Sequence, residues 1–345
     1  MVKCCKYPFE RVNIEYNGQV TFCCPAFNNE YMLGNIYEDS FEDMWFGEKA
    51  QEFRKAVLDG SYKYCNLDFC QEFKEENFSN FEDKDIANIP YPKTVHLSYV
   101  WSCNTRCQTC RDELYVESND TTIAYNKISD KIINICKNAE LIYLNGSGEV
   151  FTSNHLKSLI KSISEKYPNA KFELISNGLL FDEKHVKDFG LEGKLKGANI
   201  SIHAATKKTY EFIVRGGHWE QLQKNLKYLS ELKKQGKIKT LCFNFVFHSL
   251  NFKEMPAFVK LANRFGAEAH FWRFRKWHDK TRMLRNYDRY TCWEPDHPDY
   301  NEFIKILGKL KGMSGYVLNE AHFRKLQSEI KDPWWVGLKN KIFKK

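Results

Sequence analysis

What the chain lacks narrows its class before any motif is considered. Its N-terminus, MVKCCKYPFERVNIEY, has no apolar stretch of signal-peptide length, and no later segment approaches the roughly 20 apolar residues of a membrane span. A cytoplasmic protein, with no membrane partner, is expected. No internal repeat and no low-complexity tract interrupts the 345 residues. The net charge of +8 and the basic end LKNKIFKK are compatible with an anionic partner, yet no contiguous basic stripe is interleaved with aromatic residues. That argues against nucleic acid as a partner.

With 43% hydrophobic and 15% aromatic composition, the chain has enough apolar mass for one large core plus a smaller module. Its twelve cysteines would suit a disulfide scaffold in a short secreted chain. In a chain this long, without a secretion signal and with cysteines bunched unevenly, metal or iron-sulfur ligation is the better account.

The pattern changes along the chain. Residues 1–80 hold Cys4, Cys5, Cys23, Cys24, Cys65 and Cys70, with a hairpin signal in RVNIEYNGQVTFCC, where two alternating runs flank Asn17-Gly18. Residues 81–92, charged and closing on two prolines, read as a linker. From 93 to 280 strands alternate with helices: TVHLSYV, AELIYLN, KFELISN, ANISIHA, TLCFNFVFH and EAHFWRF are the strand candidates. Six strand-helix units predict an α/β fold with a parallel sheet, open or curled into a partial barrel, whose ligands sit at the carboxyl ends of the strands. Residues 281–345 read as a helical extension with a basic tail.

The most informative stretch is CNTRCQTC, Cys103 to Cys110, in the loop after the first of these strands, where Val95, Leu97, Tyr99 and Trp101 alternate. Three thiolates leave one metal position open, because an iron-sulfur cubane or a structural zinc site ordinarily takes four. The competing readings are zinc with a distant fourth ligand, or cysteines of the core.

This loop resembles the CxxxCxxC signature of the radical S-adenosylmethionine (radical SAM) superfamily, and other elements similar to that family follow in order. YLNGSGEVF resembles its glycine-glycine-glutamate element as Ser147, Gly148 and Glu149, with serine in place of the first glycine. LISNGLL resembles its third-strand element through Ser176 and Asn177, and ISIHAATKKTYEFIVRGG its fourth through Ser201 and Arg215. The resemblance implies a partial (β/α)6 TIM-type barrel. It also implies a catalytic [4Fe-4S] cluster on Cys103, Cys107 and Cys110, and S-adenosylmethionine held by the other seven residues. Glu149 is then the partner of the cofactor's ammonium, and Arg215 forks onto its carboxylate.

The N-terminal segment resembles the SPASM and twitch auxiliary-cluster domains of the same superfamily. Twelve residues separate Cys5 from Gly18 and four separate Gly18 from Cys23, and MLGNIYEDSFEDMWFGEKAQEFRKAVLDG precedes CNLDFC. On that resemblance Cys5, Cys23, Cys65 and Cys70 hold a second [4Fe-4S] cluster in a small α+β module, here ahead of the barrel; a zinc ribbon is the alternative. Cys4 and Cys24 are adjacent spares.

The implied function is reductive cleavage of S-adenosylmethionine to a 5'-deoxyadenosyl radical that takes a hydrogen atom from a substrate carbon. With the second cluster as electron acceptor, a two-electron oxidation or crosslink of a peptide or protein side chain is expected, fed by a flavodoxin- or ferredoxin-type reductant. The alternatives are dehydrogenation of a small molecule such as a sugar, nucleotide sugar or aminoglycoside-like alcohol, an epimerisation in which Cys242 or Cys292 returns the hydrogen, and a non-catalytic electron carrier. Asn244, His248, Asn251 and Arg273 are candidates for substrate contact. Cys136 reads as core, and Cys292, Glu294 and His297 as structural.

Overall fold

The computed structural model describes residues 2–330 apart from 25–30, 68–69, 71–72, 74–77, 83–84, 87, 145 and 277–280. The basic tail and part of the stretch read as a linker lie outside the described residues. The strands are β1 (Val2–Cys5), β2 (Arg11–Ile14), β3 (Gln19–Thr21), β4 (Gly34–Asn35), β5 (Phe78–Phe81), β6 (Thr94–Leu97) and β7 (Arg106–Cys107). They continue as β8 (Leu141–Leu144), β9 (Lys171–Ser176), β10 (Leu195–Ser201), β11 (Val214–Arg215), β12 (Thr240–Phe247), β13 (Glu268–Arg273) and β14 (Tyr316–Leu318). Two compact units emerge. The first comprises residues 1–104, 114–199 and 231–240, the second 105–113, 200–230 and 241 onward.

In the first unit, β6, β8 and β9 pair in parallel, and the hairpin β2–β3 extends the same sheet. β2 runs parallel to β6 from Arg11 opposite Thr94 to Ile14 opposite Leu97, so the hairpin shares a ladder with the first strand of the αβ repeat. Its turn needs glycine: Gly18 has φ +82°, and a Cβ there would lie 2.4 Å from the Tyr37 ring. Val12, Ile14, Val95, Leu97, Ile142, Leu144, Phe172 and Leu174 are all buried. The helix Asn154–Lys166 presents Leu156, Leu159, Ile160 and Ile163 at helical spacing to the core, and Ser153 caps its start by accepting from the Leu156 amide at 3.1 Å. Each such aliphatic side chain contributes about 1.5–3 kcal/mol by leaving water.

The first strand is shorter than its alternation predicts. β6 ends at Leu97 because the strands on either side, β2 and β8, end at Ile14 and Leu144; only the Ser98 amide continues the ladder, to Ile14 O at 2.8 Å. Tyr99 and Val100 stay buried, and the irregular segment after them leads into Cys103.

In the second unit, β12, β13 and β14 pair in parallel. Leu241, Phe243, Phe245 and Phe247 are buried, while Cys242, Asn244 and Val246 between them are half-buried, the alternation of a strand with one apolar face. Phe245 meets Phe258 of the helix Met255–Arg264 with ring centroids 4.8 Å apart, and Phe247 stacks on Phe303 of Tyr300–Leu310 at 5.5 Å. A short antiparallel pair, β7 with β11, sets Val214 opposite Cys107 and Arg215 opposite Arg106. All six expected strands are present as β6, β8, β9, β10, β12 and β13. β14 is additional, three residues within the stretch read as purely helical.

Candidate functional site

The segment entering the cysteine loop is bound to the loop after β8 by a set of short contacts within the first unit. The Glu149 amide donates to Ser102 O at 2.7 Å, Thr152 Oγ1 to Ser102 Oγ at 3.0 Å, and the Ser98 and Ser147 hydroxyls lie 3.1 Å apart. Gly148 makes this approach possible, since a Cβ there would fall 2.4 Å from Ser102 O. The close contact its missing side chain allows is with the protein's own backbone.

Glu149 is fully buried, and its carboxylate points at the loop after β9. It accepts from Ser176 Oγ at 2.9 and 3.0 Å and from the Asn177 amide at 2.7 Å. Burial raises its pKa to about 7 against the lowering effect of these donors. Asn177 passes the connection on: its Nδ2 donates to Asn104 Oδ1 at 2.7 Å and points at Cys103 Sγ at 3.9 Å. Cys103, Gly148, Glu149, Ser176 and Asn177 are thus brought together, with Ser147 beside them.

In the second unit, Cys107 and Cys110 close a turn in which the amides of Cys110 and Arg111 donate to Cys107 O at 2.9 and 3.0 Å. Arg215 holds that turn. Its Nε donates to Arg106 O at 2.8 Å, and its Nη2 to Arg111 O at 3.1 Å and to Asp112 Oδ1 at 2.8 Å. The ion pair with Arg215 keeps the Asp112 pKa below the usual carboxylate range. The fork expected to meet a ligand carboxylate therefore grips backbone carbonyls of the cysteine loop, because β11 lies in register with β7 and carries the guanidinium over the turn.

Each of the three thiols has a polar side chain at its sulfur. Asn177 serves Cys103; Thr105 Oγ1 lies 3.6 Å from Cys107 Sγ; Arg111 Nε donates to Cys110 Sγ at 3.5 Å. Donors aimed at sulfur suit thiolate ligands of an iron-sulfur cluster, so this set fits the group. Ser102, Thr105 and Arg111 are neighbours of the cysteines in sequence, whereas nothing in the sequence pattern marks Thr152.

Ser201 is half-buried at the end of β10. Beyond it His203, at φ +62°, accepts from the Val246 amide at 3.0 Å, and Asn251 ties His203 O to Val246 O through two 2.9 Å hydrogen bonds. Burial lowers the His203 pKa to about 4 and that of His248 to about 3, so both are neutral near pH 7. Of the substrate-contact candidates, His248 and Asn251 are buried in this corner; Asn244 accepts from Trp272 Nε1 at 3.4 Å, and Arg273 pairs with Glu320 at 2.9 Å. Cys242 lies near the start of β12, away from the strand's carboxyl end, while Cys292 and Cys136 are fully buried.

Cys5, Cys23, Cys65 and Cys70 line one cavity, with Tyr7, Pro8, Phe22, Phe53, Tyr62 and Phe73 among its walls. Burial pushes the Cys23 thiol well above its ordinary range, and the neighbouring cysteines push it further; Cys65 is raised to about 12. Thiols crowded this way become thiolates readily only around a cation, which fits a cluster or metal held by all four. Cys4 is buried on β1 opposite Ser79 and Cys24 is half-buried; neither lines the cavity.

Two family models match the chain in sequence order. The SPASM iron-sulfur cluster-binding domain covers residues 4–71, and the radical SAM superfamily covers 102–262. The chain belongs to the radical SAM superfamily. Its mixed α/β architecture, with a mostly parallel sheet, is that of a radical SAM partial barrel, and the SPASM domain stands N-terminal to it. Iron-sulfur clusters and S-adenosylmethionine are the cofactors of this family.

None of the curated proteins matches the chain. Among solved structures, anSMEcpe with bound AdoMet is similar at 16% identity and a TM-score of 0.43, over 61% of this chain and 56% of that one. The coproporphyrinogen III oxidase HemN from Escherichia coli gives 13% and 0.43 over 64% and 54%, and BtrN in complex with AdoMet and 2-DOIA gives 17% and 0.30 over 43% and 56%. The chain spans little more than half the length of these structures. Among the described residues no helix is long and apolar enough to cross a membrane.

Proposed function

We propose that this protein cleaves S-adenosylmethionine reductively and oxidises a peptide or protein side chain by two electrons, through dehydrogenation or crosslinking. The observation that carries this reading is the pairing of a three-cysteine loop, each sulfur with its own polar neighbour, with a separate four-cysteine cavity. Cys103, Cys107 and Cys110 would hold the cluster, which would supply the electron for reductive cleavage of the cofactor and so for hydrogen abstraction from the substrate. Asn177, Thr105 and Arg111 set the polarity around the sulfurs, and Arg215 keeps the Cys107–Cys110 turn in shape. Glu149 acts as a positioning residue, locking Ser176 and Asn177 beside Cys103. Ser147, Ser176, Asn177 and Ser201, at or just beyond the carboxyl ends of β8, β9 and β10, offer polar groups to the cofactor.

The four thiols of the N-terminal cavity would hold the second cluster, which would supply an acceptor for the electron a substrate radical must lose. A peptide substrate is supported by a strip of exposed apolar residues beside Cys103. Leu114, Tyr115, Val116 and Ile123 face solvent, and Tyr115 O accepts from the Cys103 amide at 2.9 Å. A flavodoxin- or ferredoxin-type protein is the reductant. The test is formation of 5'-deoxyadenosine and methionine by anaerobically reconstituted, reduced protein, with Cys107→Ala beside it. Cysteine-dependent cleavage stimulated by peptides supports the reading. Cleavage stimulated by sugars or aminoglycoside-like alcohols alone replaces the peptide with a small molecule, and no cleavage by fully loaded protein under any substrate overturns it.

A further inference from the structure

Among the described residues, Arg54 is a buried cation with no carboxylate partner. It lies on the helix Glu48–Leu58, is 0% exposed, and donates from Nε to Pro8 O at 2.8 Å and from Nη1 to Trp45 O at 2.6 Å. Its guanidinium carbon sits 4.6 Å from the Trp45 ring centroid and 5.0 Å from that of Phe22. The remaining nitrogen, Nη2, is buried with no hydrogen-bond partner, and no carboxylate pairs with Arg54 among the described residues. An unpaired buried charge costs several kcal/mol, so a fold that keeps one calls for a compensating charge nearby.

The surroundings show where that charge belongs. Pro8, which accepts from Arg54, and Phe22, which lies under its guanidinium, both line the cavity of Cys5, Cys23, Cys65 and Cys70. So do Phe53 and Val57, the residues beside Arg54 and three further along its helix. The positive charge stands one layer of side chains behind four thiols.

We propose that Arg54 is the counter-charge of the auxiliary cluster and raises its reduction potential. This rests on the reading that the four cysteines hold an iron-sulfur cluster. Four thiolates give such a cluster net negative charge, and reduction adds one more, so a fixed cation stabilises the reduced form more than the oxidised one. The aromatic wall of Phe22, Phe53 and Trp45 excludes water, which leaves the attraction little screened. The direction suits an electron acceptor.

The experiment is an EPR-monitored redox titration of the second cluster in full-length protein whose Cys103, Cys107 and Cys110 are alanine, so that one cluster gives the signal. Arg54→Met and Arg54→Gln remove the charge; Ala50→Asp, one turn earlier on the same buried face, neutralises it in place; Arg54→Lys keeps it. At a fixed poise the first three raise the oxidised-to-reduced ratio at least tenfold, about 59 mV for a one-electron couple, while Lys stays within about threefold. An unchanged ratio in any charge-removing or neutralising variant that retains the cluster signal overturns the proposal, as does loss of the signal in Arg54→Lys together with the other three, which makes Arg54 a packing residue; loss in those three with retention in the parent and in Arg54→Lys supports it. A parent protein with no second cluster overturns the reading beneath it instead.

Discussion

The two cysteine sets are built from opposite surroundings. The four N-terminal thiols share one cavity walled by Phe22, Phe53, Tyr62 and Phe73, and behind that wall lies the buried Arg54. The loop cysteines each face a polar side chain, Asn177, Thr105 or Arg111, and their backbone is held by Arg215 and by the segment around Glu149. An apolar wall with a full ligand set favours a cluster that only stores charge; a three-ligand loop with polar neighbours leaves room for chemistry at the metal. The difference shows that the polarity around each cysteine set is decided by packing and not by cysteine spacing.

The sharpest way to break this contrast is Cys107→Ala. S-adenosylmethionine cleavage should fall to background while iron falls by only about four per chain, one cubane's complement; loss of all iron would show that the two sites do not load separately. Cys65→Ser should do the converse. Cofactor cleavage persists, but oxidised product falls about tenfold or more, as product analysis by mass spectrometry would show, because the substrate radical has lost its acceptor.

Glu149→Gln probes the donor-rich site through pH. The folded-state pKa of Glu149 is raised from 4.5 to about 7, so its favourable contribution is fully present below pH 4.5 and lost as pH rises through 7. Relative to the glutamine variant, the wild-type apoprotein should lose on the order of 3 kcal/mol of stability between pH 4.5 and 8, read by urea unfolding at both values. A pH-independent difference would show that the carboxylate keeps its ordinary pKa.

Arg215→Lys is the smallest effect. Arg215 and Asp112 are both about one-third exposed, so the lost ion pair costs at most about 1 kcal/mol, and the loss of the fork should appear as a few-fold faster release of the loop cluster's iron to a chelator. An unchanged release rate would remove Arg215 from the group that holds the loop.

Several features were open to a reader of the sequence alone. CNTRCQTC announces an incomplete thiolate shell because ligand number is a local count, and each of the six strand candidates is a short apolar run bounded by turns. Asn17-Gly18 marks its hairpin because only glycine tolerates the positive φ there without strain.

The tertiary structure decided the rest. That β2 joins β6, that β6 stops at Leu97, and that Cys5, Cys23, Cys65 and Cys70 line a cavity which Cys4 and Cys24 do not all depend on contacts between residues far apart in the chain. So do the partners of the charged side chains. Glu149 turns inward to Ser176 and Asn177, Arg215 grips the cysteine loop, and Arg54 donates to the carbonyls of Pro8 and Trp45, because hydrogen bonds and charges are satisfied by whatever packing brings within about 3 Å, a distance that sequence spacing does not encode.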